Sequence, residues 1–389
     1  MERYNETDDH CYVNLTVEET LSYLYTPFAE YFVLVIVPII STFGLFANGS
    51  FLFVVYRNQH MRTMTNFYLV NLAIADGFLL FAGGLQYIWS FAHSAGLNFG
   101  GTYTFDSPAG CALPNMLICL CYFASVFLIT LVTMERYLAI CHTMRYRISR
   151  KRVICSIVAA WVVALLFAGF EIPLFVVQKV CVSWPPEEEY SDHPSVIPMC
   201  FHGCDWCVTV VLYADILQYL LAVPAVIFMS VAMVVKLRHS LTLKGSFRSA
   251  KSTQARENLV RMLQINAFIF FICLTPLEII NLNSLAKNYK TDFLNAHQSH
   301  YIKWIGRITM LINSAVNPVI YSTVNSSYRK AFLKEFCYCC LNRKRATKSK
   351  YKLVTSGTGS TGGSSRSGHG STNEAPRTSH ANTSSATEL

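Results

Sequence analysis

Charge is what this sequence has least of. Charged residues occupy only 14% of its 389 positions, against about a quarter in an ordinary soluble protein. With 52% of the chain hydrophobic, that scarcity excludes a typical soluble domain and makes a membrane protein the first reading. Internal repeats and paired broken helices are also absent from the sequence, which argues against a secondary transporter. The opening MERYNETDDH lacks the succession of basic, apolar and small residues that marks a cleaved leader, so none is expected.

What the chain has in quantity is long apolar runs. A helix needs about 20 apolar residues to cross the hydrocarbon core, and seven runs qualify: 31–56, 66–91, 110–141, 153–177, 208–236, 260–285 and 301–324. The expectation is an all-α membrane protein, a seven-transmembrane helix bundle at 31–324. Basic residues set its orientation, because they collect on the cytoplasmic side. Arg145, Arg147, Arg150, Lys151 and Arg152 join the third and fourth runs, and Arg238, Lys244, Arg248, Lys251 and Arg256 join the fifth and sixth. Acids gather on the other side, with Glu187, Glu188, Glu189, Asp192 and Asp205 in one loop and Asp8, Asp9, Glu18 and Glu19 in the first 30 residues. The N-terminus is therefore expected outside and the C-terminus inside. The net charge of +9 is then mostly topological, and a nucleic-acid partner has no support. An outer arm of about 30 residues is short for an adhesion role.

Two sequons, at Asn5 and Asn14, fall in that arm, where glycosylation occurs. Six of the 14 cysteines, Cys11, Cys111, Cys181, Cys200, Cys204 and Cys207, are expected at or beyond the outer surface. Six cysteines allow 15 connectivities. Cys111, at the outer end of the third run, is expected to bond into the long loop before the fifth, with Cys200 the favoured partner. Cys119, Cys121, Cys155 and Cys273 lie in apolar runs and read as packing residues.

Polar residues inside the runs carry the rest. Asp76 is an acid within the second run, and Glu135, Arg136 and Tyr137 end the third. By itself Arg136 would read as a snorkelling interfacial arginine. Trp161 marks the fourth run, Pro224 interrupts the fifth, and Pro276 breaks the sixth in the stretch CLTPLE. On the seventh, Lys303, Arg307, Ser314, Asn317 and Tyr321 are spaced by 4, 7, 3 and 4, one face of a helix. That stripe must face the bundle interior, where Asp76 can join it.

Taken together, Asn48, Asp76, Arg136, Trp161, Pro224, Pro276 and Pro318 supply one marker per run in order. The chain resembles a rhodopsin-like (class A) G protein-coupled receptor over residues 31 to about 336. The resemblance implies a signalling receptor rather than an enzyme, with a heterotrimeric G protein as its inner partner. It implies a sodium ion on Asp76, Ser125, Asn313 and Asn317, the alternative being a hydrogen-bonded network with water. It implies a switch in which Pro276 kinks the sixth helix, Glu135 holds Arg136 at rest, and Tyr137, Asn317, Pro318 and Tyr321 take part. Pro224, Val126 and Phe270 match the packing triad that links pocket to kink.

Three departures stand out. Leu274 replaces the tryptophan usual two residues before the kink proline, Ala232 replaces a common tyrosine, and Arg256 stands where some relatives have an acid. Ile118 stands where amine receptors of this family carry an aspartate, and Leu311 where visual pigments carry the retinal lysine, so neither ligand is expected. The expected pocket wall comprises Gln86, Tyr87, Asn115, Cys119, Tyr122, Tyr213, Glu278, Asn281, Lys303 and Arg307. Its acid and arginine can pair with each other or each with one end of a ligand. HMRTMTNFYLVNLAIAD and ERYLAICH are most similar to neuropeptide receptors, especially those for thyrotropin-releasing hormone, which carry an arginine at the place of Arg307. A short peptide ligand follows from that resemblance; the alternative is a non-peptide ligand or activity without one.

After the seventh run, NSSYRKAFLKEFCYCC sets Phe332 and Phe336 against Arg329, Lys330 and Lys334, a short amphipathic eighth helix over 325–340 at the membrane surface. Cys337, Cys339 and Cys340 are palmitoylation candidates. From 341 to 389 the chain turns basic and then rich in Ser, Thr and Gly, as a disordered cytoplasmic tail does. Its hydroxyls suit receptor kinases and arrestin at a plasma membrane.

Overall fold

A computed structural model describes residues 12–16, 20, 24–94, 107–142, 149–171, 175–187, 190, 191, 193–202, 205–243 and 247–336. Seven long helices fill most of that length: α1 (Pro27–Arg57), α2 (Met64–His93), α3 (Pro108–Cys141), α4 (Arg150–Glu171), α5 (Asp205–Leu243), α6 (Phe247–Lys287) and α7 (Ala296–Val324). A shorter helix follows, α8 (Ser326–Phe336). Six of the long helices are apolar enough to cross a membrane by composition alone. The other, α7, has 29 residues, ample for a crossing. Lys303 and Arg307 lower its hydropathy; Arg307 belongs to the polar stripe it carries into the bundle, whereas Lys303, expected there from the spacing, is exposed.

Local chemistry starts these helices where they start. Thr26 caps α1 by accepting from the Ala29 amide at 3.2 Å, with Pro27 next to it. Ser107 does the same for α3 through Gly110 at 3.0 Å, ahead of Pro108. Asn295 and Gln298 form a reciprocal capping box at the start of α7, satisfying two donors that the first turn leaves over. The apolar run at 153–177 does not continue as one helix. It ends as α4 at Glu171, and Phe175 opens a strand.

That strand moves the end of the fourth run back from 177 to 171 and leaves the seven-helix bundle as expected. β2 (Phe175–Ser183) and β3 (Val196–His202) form an antiparallel hairpin with Val177 opposite Cys200 and Cys181 opposite Val196. β1 (Tyr12–Asn14), from the N-terminal arm, adds in parallel with Tyr12 opposite Cys181. The Leu15 amide extends the pairing to the Ser183 carbonyl at 3.1 Å. A disulfide joins Cys200 in β3 to Cys111 in the first turn of α3. It is the pairing expected from the sequence, and Cys181 carries a free thiol.

The helices close a ring in which α3 is central, packing on α2, α4 and α5 and touching α6. The core holds Phe51, Leu69, Leu80, Phe123, Leu128, Phe270, Trp304 and Tyr321, while Phe46, Leu166, Phe228 and Phe268 are exposed on the outside of the ring. Apolar residues on both the inside and the outside are what a bundle solvated by lipid requires. Two glycines set close approaches. A Cβ at Gly44 would lie 2.8 Å from the Ala315 Cβ, and one at Gly306 would lie 2.7 Å from Leu277 Cδ2, so α7 meets α1 and α6 nearly backbone to backbone.

Side-chain bonds lock the ring at each seam. Asn48 donates to the Gly44 and Ser314 carbonyls, both at 2.9 Å, joining α1 to α7. Trp161 donates to Asn71 at 3.0 Å, joining α4 to α2. At the far end from the sheet, α8 docks on the turn after α1. Asn58 donates to Glu335 at 3.1 Å, and the Tyr328 hydroxyl bonds Asn66 on α2. The Tyr328 phenol is pushed above its ordinary range chiefly by burial.

Candidate functional site

Three polar clusters run down the inside of this ring. The first lies toward the sheet end. Gln86 on α2 donates to Asn115 on α3 at 3.1 Å, and Asn115 donates to the Cys111 carbonyl at 2.8 Å, directly beneath the disulfide. Arg307 on α7 sets its guanidinium carbon 5.4 Å from the Tyr87 ring centre and 4.7 Å from that of Trp304, a half-buried cation over two π faces. Phe32 props both rings, at 4.9 Å from Trp304 and 5.9 Å from Tyr87. Phe32 opens a π-helical turn, Phe32–Ile36, inside α1. Such an inserted residue re-aims the side chains around it.

Tyr25, just before α1, closes over this group. Its ring meets Phe91 edge-on at 5.0 Å. Burial raises its phenol above the ordinary value, with a hydrogen bond to Ser90 and the charge of Arg307 acting the other way.

Across the bundle, the Tyr122 hydroxyl on α3 donates to Glu278 Oε1 on α6. Glu278 is buried, with Asn281 one turn further along the same face. Glu278 and Arg307 are thus held separately, the acid by a phenol and the arginine by aromatic rings. Asp215 on α5 lies close enough to Tyr122 for its charge to act on the hydroxyl.

Of the other residues expected in this wall, Cys119 is half-buried and Lys303 exposed. Tyr213 is 47% exposed, and its hydroxyl sits 2.6 Å from that of Tyr289, in the turn just beyond the end of α6. It joins the α5 and α6 ends rather than the cluster around Glu278. Asp215, Trp304, Phe32 and Tyr25 were missed in the sequence. Asp215 had a signal, an acid within the fifth apolar run; the aromatic three had none, because only the fold brings them to Arg307.

Below this lies the kink. Pro276 has no N–H to give the Ile272 carbonyl, and side chains from the two neighbouring helices bond to the carbonyls on either side of that one. Thr309 on α7 donates to the Cys273 carbonyl at 2.6 Å. Tyr219 on α5 donates to that of Phe271 at 3.2 Å and contacts Thr275 at 2.8 Å.

The second cluster surrounds Asp76, which is fully buried and accepts from Asn317 Nδ2 at 2.6 Å. Asp76 Oδ1, Ser125 Oγ, Asn313 Oδ1 and Asn317 Oδ1 are buried and meet no hydrogen-bond partner among the described residues. Four buried oxygens without a donor, one of them on the carboxylate itself, are the kind of ligand a small hard cation takes. The residues present therefore fit a sodium ion.

The third cluster is at the α8 end. Glu135 Oε2 lies 2.9 Å from Arg136 Nε, with the acid buried. Tyr137 stacks edge-on to His142 at 5.5 Å and packs with Met233, Leu237 and Val260, which close α3, α5 and α6 together. Gln264 on α6 adds a bond to the Ser230 carbonyl on α5 at 2.9 Å. Tyr321 lies 5.2 Å from Phe51, its hydroxyl buried and without a hydrogen-bond partner among the described residues.

The sequence pattern of the 7 transmembrane receptor (rhodopsin family) matches residues 47–321. The chain belongs to that family. It is a multi-pass membrane receptor and not an enzyme. It is similar to somatostatin receptor type 2 of Mus musculus, 26% identical over 344 residues, covering 86% of this chain and 80% of that receptor. It is also similar to neuromedin-U receptor 1 of Homo sapiens, 26% identical over 374 residues, covering 90% and 84%, and to somatostatin receptor type 5 of Bos taurus, 25% identical over 309 residues, covering 78% and 76%. Asn5, Cys11, Cys204, Cys337, Cys339, Cys340 and the tail at 341–389 lie outside the described residues; Asn14 is the last residue of β1.

Proposed function

We propose that this family member is a peptide receptor of the plasma membrane, with its sheet end outside and its α8 end in the cytoplasm. The orientation is supported by Arg150, Lys151 and Arg152, which open α4 at the α8 end, where positive charge belongs. The relatives named for somatostatin and neuromedin-U support a peptide as the ligand class. The observation that carries the reading is Arg307, a buried-facing cation stacked between Tyr87 and Trp304 beneath Tyr25. Its N–H donors suit a carbonyl, carboxylate or amide end of a peptide.

Binding there would act on the turn around Pro276 and swing the cytoplasmic part of α6 away from Met233 and Leu237. Arg136 would then leave Glu135 for a heterotrimeric G protein. Asp76, Ser125, Asn313 and Asn317 would hold sodium in the resting state, where its positive charge offsets that of Asp76. The tail would engage receptor kinases and arrestin, and α8, with palmitoylated Cys337, Cys339 and Cys340 after it, would lie on membrane lipid. Glycans would sit on Asn5 and Asn14.

The test is G protein nucleotide exchange driven by a library of short peptides. Arg307→Ala should abolish or greatly weaken the response of active members while surface expression stays intact. Unchanged potency would remove Arg307 from the site.

A further inference from the structure

Glu278 is only 7% exposed, yet its carboxylate is half satisfied. Oε1 accepts the Tyr122 hydroxyl, whereas Oε2 is buried and accepts no hydrogen bond among the described residues. An ionisable group in that position inside a membrane bundle is costly unless it has a partner to meet. Arg307 does not supply one, since its guanidinium lies over Tyr87 and Trp304. Asp215 on α5 is near enough for its charge to be felt at the same Tyr122 hydroxyl. Asn281 lies beside Glu278, with its amide near enough to act on the carboxylate as a donor.

The geometry points to Glu278 as the anchor of a cation subsite, one that takes an ammonium or guanidinium group of the ligand on Oε2, with Asp215 adding to the negative field. This rests on the reading of the bundle as a peptide receptor and narrows it. The peptide presents an acceptor to Arg307 and a basic group to Glu278, matching two charges carried by the neighbouring helices α7 and α6. The subsite also explains how binding reaches the kink. Glu278 stands two residues after Pro276, and Leu274, four residues before it on the same face, is buried against the core. A cation on Oε2 pulls on the same carboxylate that Tyr122 holds by Oε1, the contact that fastens this turn of α6 to α3.

The probes are short peptide amides bearing one arginine or lysine, each paired with a copy in which citrulline or norleucine replaces the basic residue. They are scored by G protein nucleotide exchange in membranes holding the full chain. Active peptides should lose about tenfold or more in potency in the uncharged copy, the size of one charge-assisted bond. Glu278→Gln, which keeps an acceptor for Tyr122, should cost the basic peptide the same factor and leave its uncharged copy unaffected. Glu278→Lys should favour a copy carrying glutamate at that place.

Active peptides indifferent to their own charge would overturn the subsite and leave the peptide reading standing. A library without any active member would overturn both. Surface amounts are read from an epitope tag; if a variant does not reach the surface, the comparison of paired peptides on the unaltered chain still decides.

Discussion

The Thr309 hydroxyl lies 2.6 Å from the carbonyl of Cys273, so α7 holds the broken turn of α6 by a side chain. Tyr219 does the same from α5 at the Phe271 carbonyl. A proline kink inside lipid leaves backbone acceptors without water, and partners of this kind are how a membrane helix satisfies them.

Thr309→Val should therefore lower the thermal stability of the detergent-solubilised receptor by about 1 kcal/mol or slightly more, the net value of a hydrogen bond whose loss strands a buried acceptor. Thr309→Ser keeps the hydroxyl and should retain most of it. Equal melting temperatures for the valine and serine variants would show that the bond contributes nothing.

Gly306→Ala is expected to be more damaging than its size suggests. The new Cβ would meet Leu277 Cδ2 at 2.7 Å and the Leu277 backbone nitrogen at 3.2 Å, and the backbone cannot step aside. A cost of about 1–3 kcal/mol follows for overpacking of this kind, read as reduced surface expression and a lower melting temperature. Gly49→Ala is the control: nothing lies within 4 Å of its new Cβ, and it should be neutral or gain up to about 1 kcal/mol from helix propensity.

How much of this could be read in the sequence depended on the range of the signal. Pro276, Asp76 and the Glu135–Arg136 pair announce themselves locally, and the helices follow from runs of apolar residues. Cys111 could be placed at an outer helix end and tied to the loop before the fifth run, but its choice of Cys200 over the other outer cysteines is fixed by the fold. The Tyr122–Glu278 bond, 156 residues apart in sequence, was not legible. Glu278 could be placed on an inward face by helical periodicity, but which helix answered it depended on packing. The three-stranded sheet was hidden for a related reason. Its parallel pairing joins residue 12 to residue 181, and the strand Phe175–Ser183 begins inside an apolar run that reads equally well as the end of a helix.

Asp76→Asn removes the one formal charge in the cluster of orphaned oxygens. The unaltered receptor should melt at a higher temperature in sodium chloride than in choline chloride at the same ionic strength. In the Asp76→Asn variant that difference should vanish. A persistent sodium effect would place the ion elsewhere.

Glu335→Ala should loosen α8 without unfolding the bundle. Glu335 accepts from Asn58 at 3.1 Å, while its contacts with Arg57 at 3.9 Å and Lys334 at 3.8 Å involve exposed partners and add little. Loss of the Asn58 bond should raise amide hydrogen exchange over Ser326–Phe336 by about tenfold. Exchange in α3 should not change.

The sheet has a mechanical consequence. β1 is bonded to β2, β2 to β3, β3 through Cys200 to Cys111, and Cys111 belongs to α3. α3 has 34 residues, which makes it a rod of roughly 50 Å, and Glu135 and Arg136 sit at its other end. The N-terminal arm is thus fastened in series to the central helix. Anything that tugs the arm or wedges the hairpin loads the same beam whose far end carries the ion pair.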